Sequence, residues 1–197
     1  FNGYGHLGDS SIINALTPVR TFKGEYNGNQ FLGDNLVNPI VKVFNSIYHS
    51  LCLAYDGTVY SMGYNGYGEL GNGTSTNSIT PIKVIKGAYS GTTYLGDNPT
   101  NPVVSIIGGD YHSIALMKDG TLFSFGYNSY GSLGDGTTIA RYSPVAVVKG
   151  DYNGISKLGD ITSNPIVLLT GNIYTTTAVA KDGYLYSFGY DGTAQIG

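Results

Sequence analysis

Between Pro102 and Val148 short apolar runs alternate with clusters of Gly, Asn and Asp. Val103-Val104-Ser105-Ile106-Ile107, ending on Gly108-Gly109, has the pattern of a strand buried on both faces. His112 to Met117 alternates, and Lys118-Asp119-Gly120-Thr121 then turns the chain. Asp-Gly between two such runs predicts a hairpin with a type I′ turn, which requires positive φ at both central residues. Leu122-Phe123-Ser124-Phe125 is the returning strand, and Pro144 to Val148 is a fourth run with its proline at the first strand position, where a missing N–H is tolerated. No stretch sustains a helical period, so four strands in sequence are expected.

The same order recurs along the whole chain. Tyr64-Asn-Gly-Tyr-Gly68-Glu-Leu-Gly71 reappears in related form from Phe1, Tyr127 and Tyr190, each copy 63 residues after the last. Three units, 1–63, 64–126 and 127–189, followed by the start of a fourth at 190–197, make one segment rather than several unlike domains. Ile40 to Phe44 and Ile166 to Leu169 match the first strand, and Asp56-Gly57 and Asp182-Gly183 match the turn. Val59 to Met62 and Leu185 to Phe188 match the third strand, while Pro18-Val19 and Pro81-Ile82 open the fourth. Four-stranded units repeated radially are propeller blades, so the predicted fold class is all-β: a propeller segment of about three four-stranded antiparallel blades.

The stretch Gly-Asp-Tyr-His112-Ser-Ile-Ala-Leu-Met-Lys-Asp-Gly-Thr-Leu-Phe-Ser-Phe-Gly126, continued by Tyr-Asn-Ser-Tyr-Gly131-Ser-Leu-Gly134, resembles the regulator of chromosome condensation repeat. The resemblance covers essentially the whole chain and implies a β-propeller, usually of seven blades. The last unit departs from it with Thr175 in place of His49 and His112, and with Thr193-Ala194 in place of Tyr-Gly. The units are also long for the family. Their extra length lies in a recurring loop with a Lys-Gly-x-Tyr-x-Gly…Leu-Gly-Asp skeleton, expected to decorate one rim. Three blades cannot surround an axis, so the chain is expected to be part of a longer array, or to share blades with further copies in a ring or head-to-tail filament. The open block at both ends favours a cut through a longer array.

Composition narrows the task. Charged residues are 12% of the 197, the net charge is −3, and ten Lys plus Arg are spread without a basic stripe, which argues against nucleic acid. No apolar run approaches the roughly 18 residues of a membrane span, so no insertion is expected. The single cysteine, Cys52, has Ala115 and Ala178 as repeat equivalents and reads as a small buried strand residue.

The G-x-G-x-x-G stretches fit turns better than a dinucleotide site, because Asn72-Gly73-Thr74 follows where a helix would have to start. Gly68, Gly71, Gly131 and Gly134 are therefore read as structural, and no cofactor is expected. His49 and His112 recur at one phase beside a serine and point to a ring of structural hydrogen bonds rather than to a metal or a general base. His6 corresponds to Glu69, Ser132 and Gln195, and its position reads as solvated. Asp56, Gly57, Asp119, Gly120, Asp182 and Gly183 are set by the turns. Asp34, Asp97 and Asp160 in the rim loops could cap a turn or hold Ca²⁺, although calcium sites gather more carboxylates than each loop carries. Asn72-Gly73-Thr74 is the one usable glycosylation tripeptide, and nothing beyond the tripeptide supports a glycan there.

Lys23, Tyr26, Lys86, Tyr89, Lys149 and Tyr152 recur in the rim loop. They could form a binding rim, since tyrosine brings contact area at low entropic cost, or each tyrosine could staple its own loop to the blade. The sequence thus leads to a non-catalytic recognition module for a protein or surface, within a larger secreted or cell-surface repeat protein. The alternative is a self-assembling structural protomer. Exchange-factor or chromatin-binding activity, which the resemblance also implies, lacks a distinctive blade insertion and a basic tail here.

Overall fold

The computed structural model describes residues 1–192, so Thr193-Ala194, Gln195 and the end of the last block lie outside the described residues. Eleven strands form three antiparallel sheets. Strands β1 (Ile40–Asn45), β2 (His49–Ala54), β3 (Val59–Gly63) and β4 (Ser78–Lys83) make the first sheet in chain order. Strands β5 (Val103–Gly108), β6 (His112–Met117), β7 (Leu122–Gly126) and β8 (Arg141–Ala146) make the second. Strands β9 (Ile166–Gly171), β10 (Thr175–Ala180) and β11 (Leu185–Gly189) make a three-stranded third. Each meander is one blade, and the chain is an all-β propeller segment.

Several local expectations are corrected. Pro81 and Pro144 are each the fourth residue of their strand, not the first. Both strands lie at a sheet edge, and the ladder skips register around each proline, so the missing N–H interrupts no bond. Pro18-Val19 opens no strand, because no earlier residue forms a strand to pair with it. The Asp-Gly turns are not type I′, since only the glycine takes positive φ, 91° at Gly57 and 92° at Gly120 and Gly183. Gly57 N donates to Ala54 O, and Ala54 N donates to Thr58 O. This is a type I turn followed by a left-handed glycine, made possible by the extra residue Tyr55 before the Asp. The first strands are not buried on both faces: Val41, Val104 and Val167 are about half exposed, each at the irregular end of its pairing with the second strand.

The core lies between sheets. Leu51, Leu53 and Val59 of the first sheet pack against Ile106, Ala115, Met117 and Phe125 of the second. Ile114, Leu116 and Leu122 of the second pack against Leu169, Ala178 and Ala180 of the third. The second strands β2 and β6 thus turn Leu51 and Leu53, or Ile114 and Leu116, toward the following blade, while Cys52, Ala115 and Ala178 occupy the opposite face of their strands. Cys52 is 5% exposed, and burial pushes its thiol up to about 12, so it packs as a small apolar group.

Candidate recognition surface

Each connection from third to fourth strand is organised by one buried asparagine. Asn65 is fully buried; its Oδ1 accepts from Leu70 N at 2.9 Å, and its Nδ2 faces Asn72 Oδ1, Thr74 O and Thr76 O at 3.0 Å each. Asn128 and Asn2 repeat the arrangement. Sequence reasoning passed over these asparagines, although their recurrence at the second position of every block but the last was visible. Asn72, the glycosylation candidate, has its carbonyl oxygen engaged by Asn65 and by Thr74 N and Oγ1.

The loop so formed locks onto the next blade. Ser113 Oγ donates to Glu69 O and Ser50 Oγ to His6 O, both at 2.9 Å. His49 Nε2 and Ser113 Oγ are 2.9 Å apart, and His112 Nε2 and Thr176 Oγ1 are 3.1 Å apart. Both imidazoles are fully buried, and burial lowers them to about 3 and about 4; proximity to His112 lowers His49 further. They are neutral links between blades. Among the described residues no group of three or more His, Cys, Asp or Glu is gathered for a metal.

The phase occupied by His6, Glu69 and Ser132 is not solvated, contrary to expectation: Glu69 and Ser132 are fully buried in the seam between blades. Ser132 Oγ donates to Tyr174 O of the next blade at 2.9 Å. Glu69 Oε2 accepts from Tyr67 N at 2.9 Å, while Oε1 has no partner, and burial raises the carboxyl to about 7.

In the rim loops the tyrosines are stapled inward. Tyr26, Tyr89 and Tyr152 are 1–3% exposed, and their hydroxyls donate to Asn38 O, Asn101 O and Asn164 O. Their rings are unavailable to a partner, which corrects the binding-rim expectation for them. Lys23, Lys86 and Lys149 reach back to Gly28 O, Gly91 O and Gly154 O of their own loops. Asp34 accepts from the amides of Asn29, Gln30 and Phe31, and the Gln30 and Phe31 bonds hold its carboxyl below the usual range. Asp97 and Asp160 do the same, so all three are spent on capping their loops.

Tyr55 and Tyr184 stand exposed at their Asp-Gly turns, but the contiguous aromatic surface is on the other face. Tyr48, Tyr111 and Tyr174 stand at the first-to-second strand connections, and Tyr4, Tyr64, Tyr67, Tyr127, Tyr130 and Tyr190 in the block. They form one continuous ladder. Tyr4 meets Tyr64, Tyr67 meets Tyr127 and Tyr130 meets Tyr190 at 5.0, 5.0 and 4.9 Å, each edge to face across a blade boundary. Tyr48 meets Tyr111 at 4.9 Å, and Tyr111 stacks on Tyr174 at 5.8 Å. Hydrogen bonding to Tyr48, then burial, pushes the Tyr111 hydroxyl up, and burial does so for Tyr64 and Tyr174, so these phenols stay neutral. Tyr67, Tyr130 and Tyr190 are 41%, 45% and 36% exposed. Only the fold brings the three sequence phases together.

Clefts of about 590 and 620 Å³ flank the segment. The first lies over Val43, Ser50, Cys52 and Met62, the phase equivalents of Ile106, Ser113, Ala115 and Phe125, which the first sheet covers. The second lies against β11, at the edge where the other sheets carry a fourth strand.

The regulator of chromosome condensation (RCC1) repeat matches residues 56–116 and 119–157, and a second form of the repeat matches 40–69 and 103–132. The chain is 31% identical over 158 residues to the probable E3 ubiquitin-protein ligase HERC4 of Homo sapiens, covering 80% of this chain and 13% of that protein. It is 33% identical over 150 residues to the RCC2 homolog of Danio rerio, covering 76% and 26%. It thus spans well under half the length of these relatives. The crystal structure of Prp20p from Saccharomyces cerevisiae superposes with a TM-score of 0.62 at 22% identity, over 80% of this chain and 34% of that one. With its blades, its seams and these matches in agreement, the chain belongs to the regulator of chromosome condensation repeat family.

Proposed function

We propose that this chain is a non-catalytic propeller module that recognises another protein through its tyrosine face. The observation that carries the reading is the ladder itself: partly exposed rings recur blade after blade in the same edge-to-face geometry. Tyrosine is enriched at recognition surfaces because a stiff side chain supplies apolar area and a hydroxyl together. The histidines are occupied by structural bonds, and on the opposite rim Tyr26, Tyr89 and Tyr152 are buried while Tyr55 and Tyr184 stand singly at their turns, so this face is where aromatic rings gather into a continuous array.

A photo-cross-linking residue placed at Tyr67 or Tyr130, against controls at Lys118 and Lys181 on the turns of the opposite face, tests this in the parent protein. Cross-links to a discrete protein from positions 67 and 130 are expected. Cross-links from the control positions alone, or from none of the four, would overturn it.

A further inference from the structure

The tyrosine face and the rest of the molecule differ in charge. The loops that build this face, residues 1–17, 45–49, 63–78, 108–112, 126–141, 171–175 and 189–192, carry five carboxylates: Asp9, Glu69, Asp110, Asp135 and Asp191. Their only Lys or Arg is Arg141, whose Nε is tied to Asp135 Oδ2 at 2.7 Å. All eight lysines and Arg20 lie in other segments, among eight further acids. Asp110 is close enough to Tyr111 and Tyr174 for its charge to act on both hydroxyls. Glu69 is buried in the seam with its carboxyl raised to about 7, and Asp135 is paired with Arg141, so the negative charge beside the rings comes chiefly from Asp110.

Ring faces edged by carboxylates are complementary to cations. A guanidinium or ammonium over a tyrosine gains from the ring quadrupole and from nearby negative charge together. A neutral glycan would use the rings but not the charge, and a phosphodiester strand would stack against repulsion. The spacing suits an extended chain. Tyr67 to Tyr127 is 5.0 Å and Tyr127 to Tyr130 is 5.9 Å, so the repeat-equivalent exposed rings of Tyr67 and Tyr130 lie within the reach of about three extended residues.

Resting on the reading that this face recognises protein, we propose that the tyrosine ladder is a docking track for an extended peptide segment bearing arginine or lysine at intervals of about three residues. The cationic groups lie on the exposed rings of Tyr67 and Tyr130, with Asp110 pairing behind them.

Fluorescence anisotropy on the full chain with labelled twelve-residue peptides tests this: Arg-Gly-Ser repeats, the matched Glu-Gly-Ser repeats, Gly-Ser alone, and an oligothymidylate. The arginine peptide is expected to bind at least about ten-fold tighter than the neutral one, with affinity falling as salt rises. Tyr67→Ser with Tyr130→Ser should remove about ten-fold, Tyr67→Phe should change little, and Asp110→Asn should weaken binding and flatten its salt dependence. These side chains are on the surface, and an unchanged thermal melt confirms folding. If the glutamate peptide, the neutral peptide or the oligothymidylate binds best and the serine variant abolishes it, the cationic ligand is wrong while the tyrosine face stands. If the arginine peptide binds the serine variant as well as the parent, the ladder is not its site and both readings fall.

Discussion

Truncating Asn65 to Ala would leave the amide of buried Leu70 without its partner and release the carbonyls of the exposed Thr74 and Thr76 from the loop. A buried unpartnered amide costs about 1–3 kcal/mol, so a loss of roughly 2 kcal/mol is expected in urea unfolding; no measurable loss would contradict the assigned role. Neighbouring residues also set a pH profile. His49 and His112 titrate at about 3 and about 4 when folded, below the 6.5 of the unfolded chain. Their stabilisation is therefore complete above about 6.5 and lost as pH falls toward 4, by about 1.4 kcal/mol per pH unit for each. Glu69 works oppositely: its folded value, raised to about 7, gives stability that is present below about 4.5 and lost as pH rises to 7. Glu69→Gln should thus gain on the parent progressively from pH 4.5 to 7 and hold a constant advantage above, in melting temperatures across that range. A parallel offset at every pH would show that Glu69 does not titrate there. The sequence showed the histidine phase plainly, but a buried Glu among His and Ser equivalents looks solvated until the seam is assembled.

At the level of elements, the rim loops hang on the fourth strands through carbonyls that proline leaves accessible. Ala88 N donates to Pro144 O at 2.7 Å, and Glu25 N to Pro81 O at 2.9 Å. Gly87 and Gly150 provide a matched pair, with φ of 53° and 52°. A Cβ on Gly87 would lie 2.1 Å from Pro144 O, whereas one on Gly150 would meet nothing within 4 Å. Both alanine variants carry the backbone penalty of about 1 kcal/mol, and only Gly87→Ala must also move the loop off β8. Gly87→Ala is expected to be the more destabilising by about 2 kcal/mol in denaturant titrations; equal losses would mean that the loop is not anchored there. Strands and turns were legible because their two-residue alternation and Asp-Gly punctuation are local. The inward staple of Tyr26, Tyr89 and Tyr152 was not, since each hydroxyl reaches a carbonyl 12 residues away, and the turn type hung on whether Tyr55 and its equivalents belong to the strand or to the turn.

Across the whole molecule, burial of the inner strands falls toward the third sheet. β7 is buried throughout, while its equivalent β11 has Leu185 67% exposed and no fully buried residue. Hydrogen exchange should therefore be slowest in peptides covering 112–126 and markedly faster at 185–189, and equal protection in solution would show that something covers β11. The 63-residue period made the architecture readable from the chain alone, whereas the tyrosine ladder draws on three separate phases that only packing brings together. The packing between sheets has a further consequence. Because each seam joins the forward face of one blade to a different, backward face of the next, any seam accepts a neighbour in one orientation only. Duplication or loss of a whole 63-residue unit within a gene would preserve each join whatever the point of exchange, so an array of this kind can change length in single steps without re-evolving its interior.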